Sequence, residues 1–368
     1  MLGGDGPVSW ELARMMARQG AEGEPNVDPL QRMRLDELIR VAEIHVGEAT
    51  GLSTSQTGRP LQANAVSQSR WAEQTLEDYR VLIERLARAL APAPSDTDST
   101  PDLPPGAEAL GQLFAQLPKV MGPMMMGFQS GMLMAQLSQR AFGPYELPVP
   151  RPPGDSLLLI PSAIEDFAST WGLALDDVSL WVCIDQVAHH AVLGIPHIRA
   201  ALLALLLEHA GGFTASGLDV DERLGAIDPS DPSSLQAFLS DPEAVLDAVR
   251  TPEQEAMRPR LEALVTVIEG YVDHTLDTVG RRLVAGPGAL AEALRRRRFE
   301  ETPSDHFVDH FLGLELGERQ YERGRAFVHG VLERGGAEAL GRLWSEEHTI
   351  PTPAEVDAPG LWLARIDL

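Results

Sequence analysis

Three polar residues, Asp185, Gln186 and His189, lie in the middle of a largely apolar run over 180–193. The run is typical of a buried helix, and a polar side chain in such a helix needs a bonding partner. Asp185 and His189 are four residues apart, so both side chains leave one helix face about one turn apart. A carboxylate and an imidazole so placed can ligate one metal ion, and the residue after the first ligand can act on a bound water. The spacing therefore indicates a candidate metal-ligating helix.

A second polar group, Glu269, Asp273 and His274, lies in a segment whose apolar residues recur at helical spacing over 259–279. Glu269 and Asp273 are one turn apart, so both side chains border the buried stripe of the expected helix. On spacing alone, this group is the polar face of a helix.

The sequence around both groups resembles the bacterial zincin-like family of zinc-dependent metallopeptidases (zincin type 2), one branch of which is associated with deazaflavin-coenzyme biosynthesis. In that family a Leu-Trp-Val run leads into His-Glu-x-x-His and then into a Val-Pro-Trp-Leu-Arg type sequence. Here Leu-Trp-Val at 180–182 leads into Asp-Gln-Val-Ala-His at 185–189, and Ile-Pro-His-Ile-Arg follows at 195–199. Two further matches are Gly-Pro-Val-Ser-Trp-Glu-Leu-Ala-Arg at 6–14 and Glu-Gly-Tyr-Val-Asp-His at 269–274. The resemblance extends from Gly6 to about Pro359.

The resemblance implies a mainly α fold with a minor β element, of the zincin-like metallopeptidase type. It implies that Asp185, His189 and Glu269 are the metal ligands, with zinc as the metal. It also places three residues beside those ligands or against a substrate: Asp273, His274 and His190.

The chain departs from the family at two positions of the motif. Asp185 stands where the family has its first zinc histidine, and Gln186 stands where it has the general-base glutamate. A neutral amide does not take up a proton near pH 7, and general-base help is typically worth about 10²–10⁴ in rate. No catalytic residue of the family is therefore intact, and we expect zinc to bind weakly or not at all, because two carboxylates and one imidazole suit harder ions.

Two functions follow from these departures. The first is a non-catalytic homologue that acts as a binding or regulatory protein, with an unknown protein or peptide as its partner. The second is an active zinc-dependent metallohydrolase that uses rearranged ligands, with Glu269, Asp273 or His274 as the base.

A rival metal site lies further along the chain. Asp305, His306, Asp309 and His310 include two histidines at the i, i+4 spacing that a helix uses to hold a metal ion. Spacing alone leaves open whether they form a separate site.

Composition limits the classes of partner and compartment. The chain has 30 basic and 54 acidic residues, and its net charge of −24 disfavours nucleic acid and anionic membrane as partners. The single cysteine excludes an intrachain disulfide and fits a reducing compartment. The first residues lack the basic start and apolar core of a signal peptide, so we expect a cytoplasmic protein.

The expected organisation is one zincin-like domain over 1–368. A Pro/Ser/Asp-rich stretch at 91–106 is expected to be a flexible linker or loop, because its composition offers little to bury. The metal-site region then extends over 107–360. Residues 351–368 are expected to form an irregular tail.

Several local patterns predict elements near the site. Helices are expected from Ser9-Trp10, from Asp28-Pro29, and over 71–90. A methionine-rich stretch predicts a buried helix, in which Gly127 and Gly131 permit close approach by another helix, for example the central one. The proline-rich segment 145–154 and an apolar strand over 156–161 are expected to form a small hairpin beside that helix. The arginine run 295–298 is expected to be a solvated helix end that complements the helix dipole or pairs with acidic groups.

Overall fold

A computed structural model describes residues 6–19, 24, 26–91, 108–213, 251–300, 308–309, 311–314 and 316–367, with the backbone alone over 108–120. Nearly all of the expected linker at 91–106 lies outside these residues. The same holds for Asp305, His306 and His310 of the rival histidine pair, so that site stays a prediction.

Helices dominate the described chain. In order they are α1 (Trp10–Ala17), α2 (Pro29–Thr50), α3 (Gln68–Asp78), α4 (Arg80–Ala89), α5 (Glu108–Arg140), α6 (Pro161–Trp171), α7 (Leu175–Gly194), α8 (Pro196–Gly211), α9 (Pro252–Leu283), α10 (Pro287–Arg298), α11 (Glu318–Gly341), α12 (Pro353–Asp357) and α13 (Pro359–Ile366). Two strands, β1 (Gln62–Ala65) and β2 (Ser156–Leu159), form a parallel pair. The mainly α fold with a minor β element is confirmed.

Local sequence signals set several helix ends. The Asp28 carboxylate accepts a hydrogen bond from the Leu30 amide at 2.9 Å, which caps the start of α2. Gly51 ends the same helix with a left-handed φ of 69°. The helix expected over 71–90 is two helices, because the backbone of Tyr79 leaves helical geometry between α3 and α4.

The strand near 156–161 exists, but the expected hairpin is wrong. β2 pairs with β1 from much earlier in the chain, in the register Gln62 to Ser156 and Ala65 to Leu159. The segment 145–154 contributes no strand, because its prolines lack the amide hydrogens that a strand ladder requires.

Helix α7 is the centre of the molecule. It packs against α2, α6, α8 and α9, and most of its residues from Val178 to Leu193 are buried. α9 in turn packs along α11, where Gly270 and Gly324 bring the two backbones together. This stack places the polar residues of α7 and α9 opposite each other inside the core.

Two other expectations differ from the fold. Gly127 and Gly131 do permit close helix approach, but the neighbouring backbone is that of Ser9 and Ala13 at α1 rather than that of α7. The described part of the tail, 351–367, is mostly helical instead of irregular, because Trp362 is fully buried and anchors α13. Among the described residues, no single helix has the length and apolar composition to cross a membrane, and α7 with α8 has them only as a pair bent by 87°.

Candidate functional site

The imidazole of His189 lies between two carboxylate side chains in the core. Its Nε2 atom is 3.2 Å from Oε1 of Glu269 on α9. Its Nδ1 atom is 3.1 Å from the main-chain oxygen of Asp185 and 3.6 Å from the Asp185 Oδ1 atom. The structure therefore brings together the three side chains that the resemblance implies as ligands.

Both ring nitrogens of His189 face acceptors. The Asp185 carbonyl oxygen can only accept, so Nδ1 carries a hydrogen and donates it. Burial would lower the pKa of His189, but the negative charges of Asp185 and Glu269 outweigh burial and raise it to about 9. Burial would raise the pKa of Glu269, but the charge and hydrogen bond of His189 hold it below its usual value. The arrangement is that of an imidazolium between two acids.

Gln186 is fixed at both ends of its amide. Its Oε1 accepts a hydrogen bond from the Tyr145 amide at 2.8 Å, and its Nε2 donates to Oδ2 of Asp185 at 2.8 Å. A Cβ atom at Gly143 would lie 2.5 Å from Gln186 Oε1, so only glycine leaves room for the side chain there. Gln186 thus ties α7 to the 143–145 segment and orients the carboxylate of Asp185.

Arg298, the last residue of α10, brings a positive charge to this acidic group. Its Nη1 atom donates to Oδ1 of Asp273 at 3.0 Å, and its guanidinium lies 4.4 Å from the ring centre of Tyr321. Tyr321 in turn lies in the same cavity wall as Glu269. Burial would lower the pKa of Arg298, yet Tyr321 and the surrounding carboxylates hold it well above its ordinary value.

A cavity of about 500 Å³ opens over these residues. Asp185, His189 and Glu269 lie in its wall. Charged and aromatic groups continue that wall, among them Arg140, Arg297, Phe142, Tyr145, Phe299 and Tyr321. The Arg297 guanidinium lies 3.8 Å from the ring centre of Phe142, which holds a cation against an aromatic face.

Two histidines of the predicted site have other surroundings. The Nδ1 atom of His190 is 2.8 Å from the Tyr145 hydroxyl, and its Nε2 atom is 4.0 Å from Oδ1 of Asp155. Burial lowers the pKa of His190 to about 4, so its ring is neutral. His274 is half-buried, and burial lowers its pKa despite the nearby charge of Asp277. The cavity wall, as far as the structure describes it, includes neither ring.

The arginine run at 295–298 was predicted only in part: its arginines pair with acidic groups as expected, but the expectation that all of them are solvated is wrong. Arg295 and Arg296 are exposed or half-exposed and pair with Glu292, as expected of a solvated helix end. Arg297 and Arg298 instead enter the cavity wall. The signal was available, because four consecutive helical residues point to all sides of a helix and some must face inward.

The placement of the three proposed ligands does not fit a zinc ion as it stands. A tetrahedral site needs its donors to converge on one point. Here Asp185 and Glu269 lie at opposite nitrogens of the His189 ring, whose lone-pair directions diverge. Within the described ranges, no group of three His, Cys, Asp or Glu side chains is placed to hold a metal ion. Binding of a metal by this set stays a prediction that requires the His189 ring to be released.

Comparisons with known proteins cover almost the whole chain. The sequence model of the family described as zincin-like metallopeptidase matches residues 8–363. A comparison with curated proteins gives no match. The fold is similar to a crystal structure from Chloroflexus aurantiacus that is described as a suggested hydrolase with a novel fold. The two chains are 23% identical with a TM-score of 0.61, and the match covers 98% of this chain and 99% of the other.

Proposed function

The chain belongs to the zincin-like metallopeptidase family, and we propose that it is a member without zinc hydrolysis that uses its cavity to bind a peptide or protein segment. In the family's mechanism, a bound zinc ion polarises a carbonyl and activates a water, and the protein supplies ligands and a base. In this chain, the residues at the ligand and base positions contact one another instead. Gln186 donates to Asp185, and His189 lies between Asp185 and Glu269.

The observation that carries the proposal is the bonding of Gln186. Both ends of its amide are engaged, by the Tyr145 amide and by the Asp185 carboxylate. A general base must be free to accept a proton from a water, and a carboxamide does not do so near pH 7. Gln186, at the base position, therefore holds the Tyr145 amide and the Asp185 carboxylate in place.

The cavity supports the binding half of the proposal. Its volume of about 500 Å³ falls in the range of ligand-binding pockets. Arg140 and Arg297, which pair with Glu146, bring positive charge that attracts carbonyl or carboxylate oxygens, and Phe299 and Leu316 offer apolar surface to side chains. A peptide presents both kinds of group.

Metal analysis and a cleavage assay test the loss of hydrolysis. Protein purified without chelator should contain less than stoichiometric zinc after dialysis and should leave peptide substrates uncleaved with or without added zinc. Stoichiometric zinc that survives dialysis and is lost in His189→Ala, together with cleavage, would overturn the proposal.

A cavity-filling variant tests binding. Peptides selected from a random library on the native protein should lose affinity for Leu316→Trp, which adds bulk to the cavity wall. Leu361→Trp, on the exposed face of α13, is the matched control and should bind as the parent does. Equal binding to both variants would place the peptide elsewhere.

The alternative function is an active metallohydrolase with rearranged ligands. It is favoured by one observation, that Asp185, His189 and Glu269 lie together at the cavity wall. The same cleavage assay decides between the two functions, provided that manganese is tested beside zinc, because carboxylate-rich sites suit harder ions.

A further inference from the structure

We propose that Arg298 supplies, from within the chain, the positive charge that a metal ion would otherwise bring to the carboxylates of Asp185, Glu269 and Asp273. The inference rests on the proposed absence of zinc hydrolysis and goes beyond it, because it names the group that takes the place of the metal.

The first step concerns the acidic side chains. Glu269 is 5% exposed, and the side chains of Asp185 and Asp273 are 20% and 18% exposed. Buried carboxylates that lie near one another repel, and each is costly to keep charged without a cation. This part of the core requires a positive charge.

The second step concerns the position of Arg298. Its guanidinium donates to Asp273 at 3.0 Å, covers the Tyr321 ring and interacts electrostatically with Glu269 and Asp185. The side chain thus lies among all three acids, in the wall of the same cavity as Asp185 and Glu269. An arginine remains charged at any working pH, so the compensation is permanent.

The third step concerns what Arg298 does to an incoming cation. A divalent ion that approached Asp185 and Glu269 would be repelled by the guanidinium. The charge of Arg298 cannot be removed by deprotonation at any working pH. Arg298 therefore determines whether the acidic group accepts a metal ion.

The test replaces Arg298 by an uncharged residue and measures metal affinity. Arg298→Gln removes the charge and keeps an amide that can donate to Asp273. Arg296→Gln is the matched control, because it removes the same charge from the exposed side of the same helix turn. Binding of Mn²⁺ and of Zn²⁺ to the full chain is measured by calorimetry for the parent and both variants.

We expect Arg298→Gln to bind at least one of the two ions about tenfold more tightly than the parent, while Arg296→Gln changes little. Arg298→Lys, which keeps a positive charge, should resemble the parent. Equal gains in the two glutamine variants would indicate a diffuse effect of net charge and would overturn the proposal. So would the absence of a gain in folded Arg298→Gln.

Folding itself provides a second readout. If Arg298→Gln is unfolded without metal, the proposal requires that Mn²⁺ or Zn²⁺ restores its circular dichroism and its melting transition. A chain that neither ion restores contradicts it. The metal content of the parent reports separately on the proposed function, so the two proposals fail by different measurements.

Discussion

The imidazole of His189 donates to the main-chain oxygen of Asp185 through Nδ1 and lies 3.2 Å from Glu269 Oε1 through Nε2. Because Glu269 has a lowered pKa and is ionised, it accepts a hydrogen bond, and both nitrogens of the ring carry hydrogen. A metal ion can bind a histidine only through an unprotonated nitrogen. The ion pair and a metal site are thus alternative states of the same three residues.

The first prediction is that folding stability falls as pH rises from 6.5 to about 9. The pKa of His189 is about 9 in the folded protein and 6.5 in an ordinary setting, so the folded state binds its proton more tightly. The stabilisation is fully present below pH 6.5 and is lost as pH rises through the folded pKa. Thermal unfolding across this range should show a loss of about 3 kcal/mol at most.

The control for this prediction is His189→Gln, which cannot titrate and should have a flatter stability profile between pH 6.5 and about 9. The profile of the parent should keep its slope in His190→Gln, because the pKa of His190 is lowered to about 4, below this range. A parent whose stability is constant up to pH 9 would show that His189 is not held as an imidazolium.

The second prediction is that Gln186→Glu destabilises the fold, and more so at high pH. The Gln186 amide now donates to Asp185 at 2.8 Å, and a glutamate there would put two carboxylates at that distance. One of them must hold a proton, so its pKa rises and the folded state is disfavoured once pH exceeds the usual carboxyl range. We expect a loss of about 1–3 kcal/mol at about pH 8 and less at about pH 5.5, measured by urea unfolding.

The third prediction concerns Asp185→His combined with Gln186→Glu. The histidine removes one of the two repelling carboxylates, so the double variant should be more stable than Gln186→Glu alone. It also restores the ligand and base types that the family has at these positions, and zinc affinity should exceed that of the parent. Adding Glu269→Ala should abolish the gain, because the third ligand is then missing. Zinc affinity is measured by calorimetric titration. A double variant that binds zinc no more tightly than the parent would show that residues 185 and 186 do not face a metal-sized site.

The sequence predicted which side chains lie close together, but not which of their atoms face one another. Spacing placed Asp185 and His189 on one helix face, and the family resemblance indicated that Glu269 comes close to them. Which ring nitrogen faces which carboxylate depends on the crossing of α7 and α9, which is a tertiary property. The run of four arginines on α10 indicated that some of them face inward, but not that Arg298 is the one that meets Asp273.

The errors in the fold have the same origin. The strand at 156–161 has a local apolar signal, but its partner β1 lies far away in sequence, and a local pattern carries no information on such pairing. Gly127 and Gly131 indicated a close helix contact without indicating that α1 is the neighbour. Local chemistry predicted the elements, and long-range packing chose their partners.

The last prediction is that Gly324→Ala moves Tyr321 away from Glu269 and Arg298, although residue 324 does not line the cavity. A Cβ atom at position 324 would lie 2.2 Å from the main-chain oxygen of Thr266 on α9, and backbone atoms cannot yield as a flexible side chain does. α11 must therefore move away from α9, and Tyr321, one turn earlier on α11, must move with it away from Glu269 and Arg298. We expect a loss of about 2 kcal/mol or more in unfolding free energy, with a weaker dependence of stability on pH between 6.5 and about 9. Gly341→Ala, which lies beyond the break in helical geometry at Gly336, is the matched control, because its Cβ atom would meet nothing within 4 Å. A Gly324→Ala protein as stable as Gly341→Ala would show that the contact between α9 and α11 does not hold Tyr321 in place.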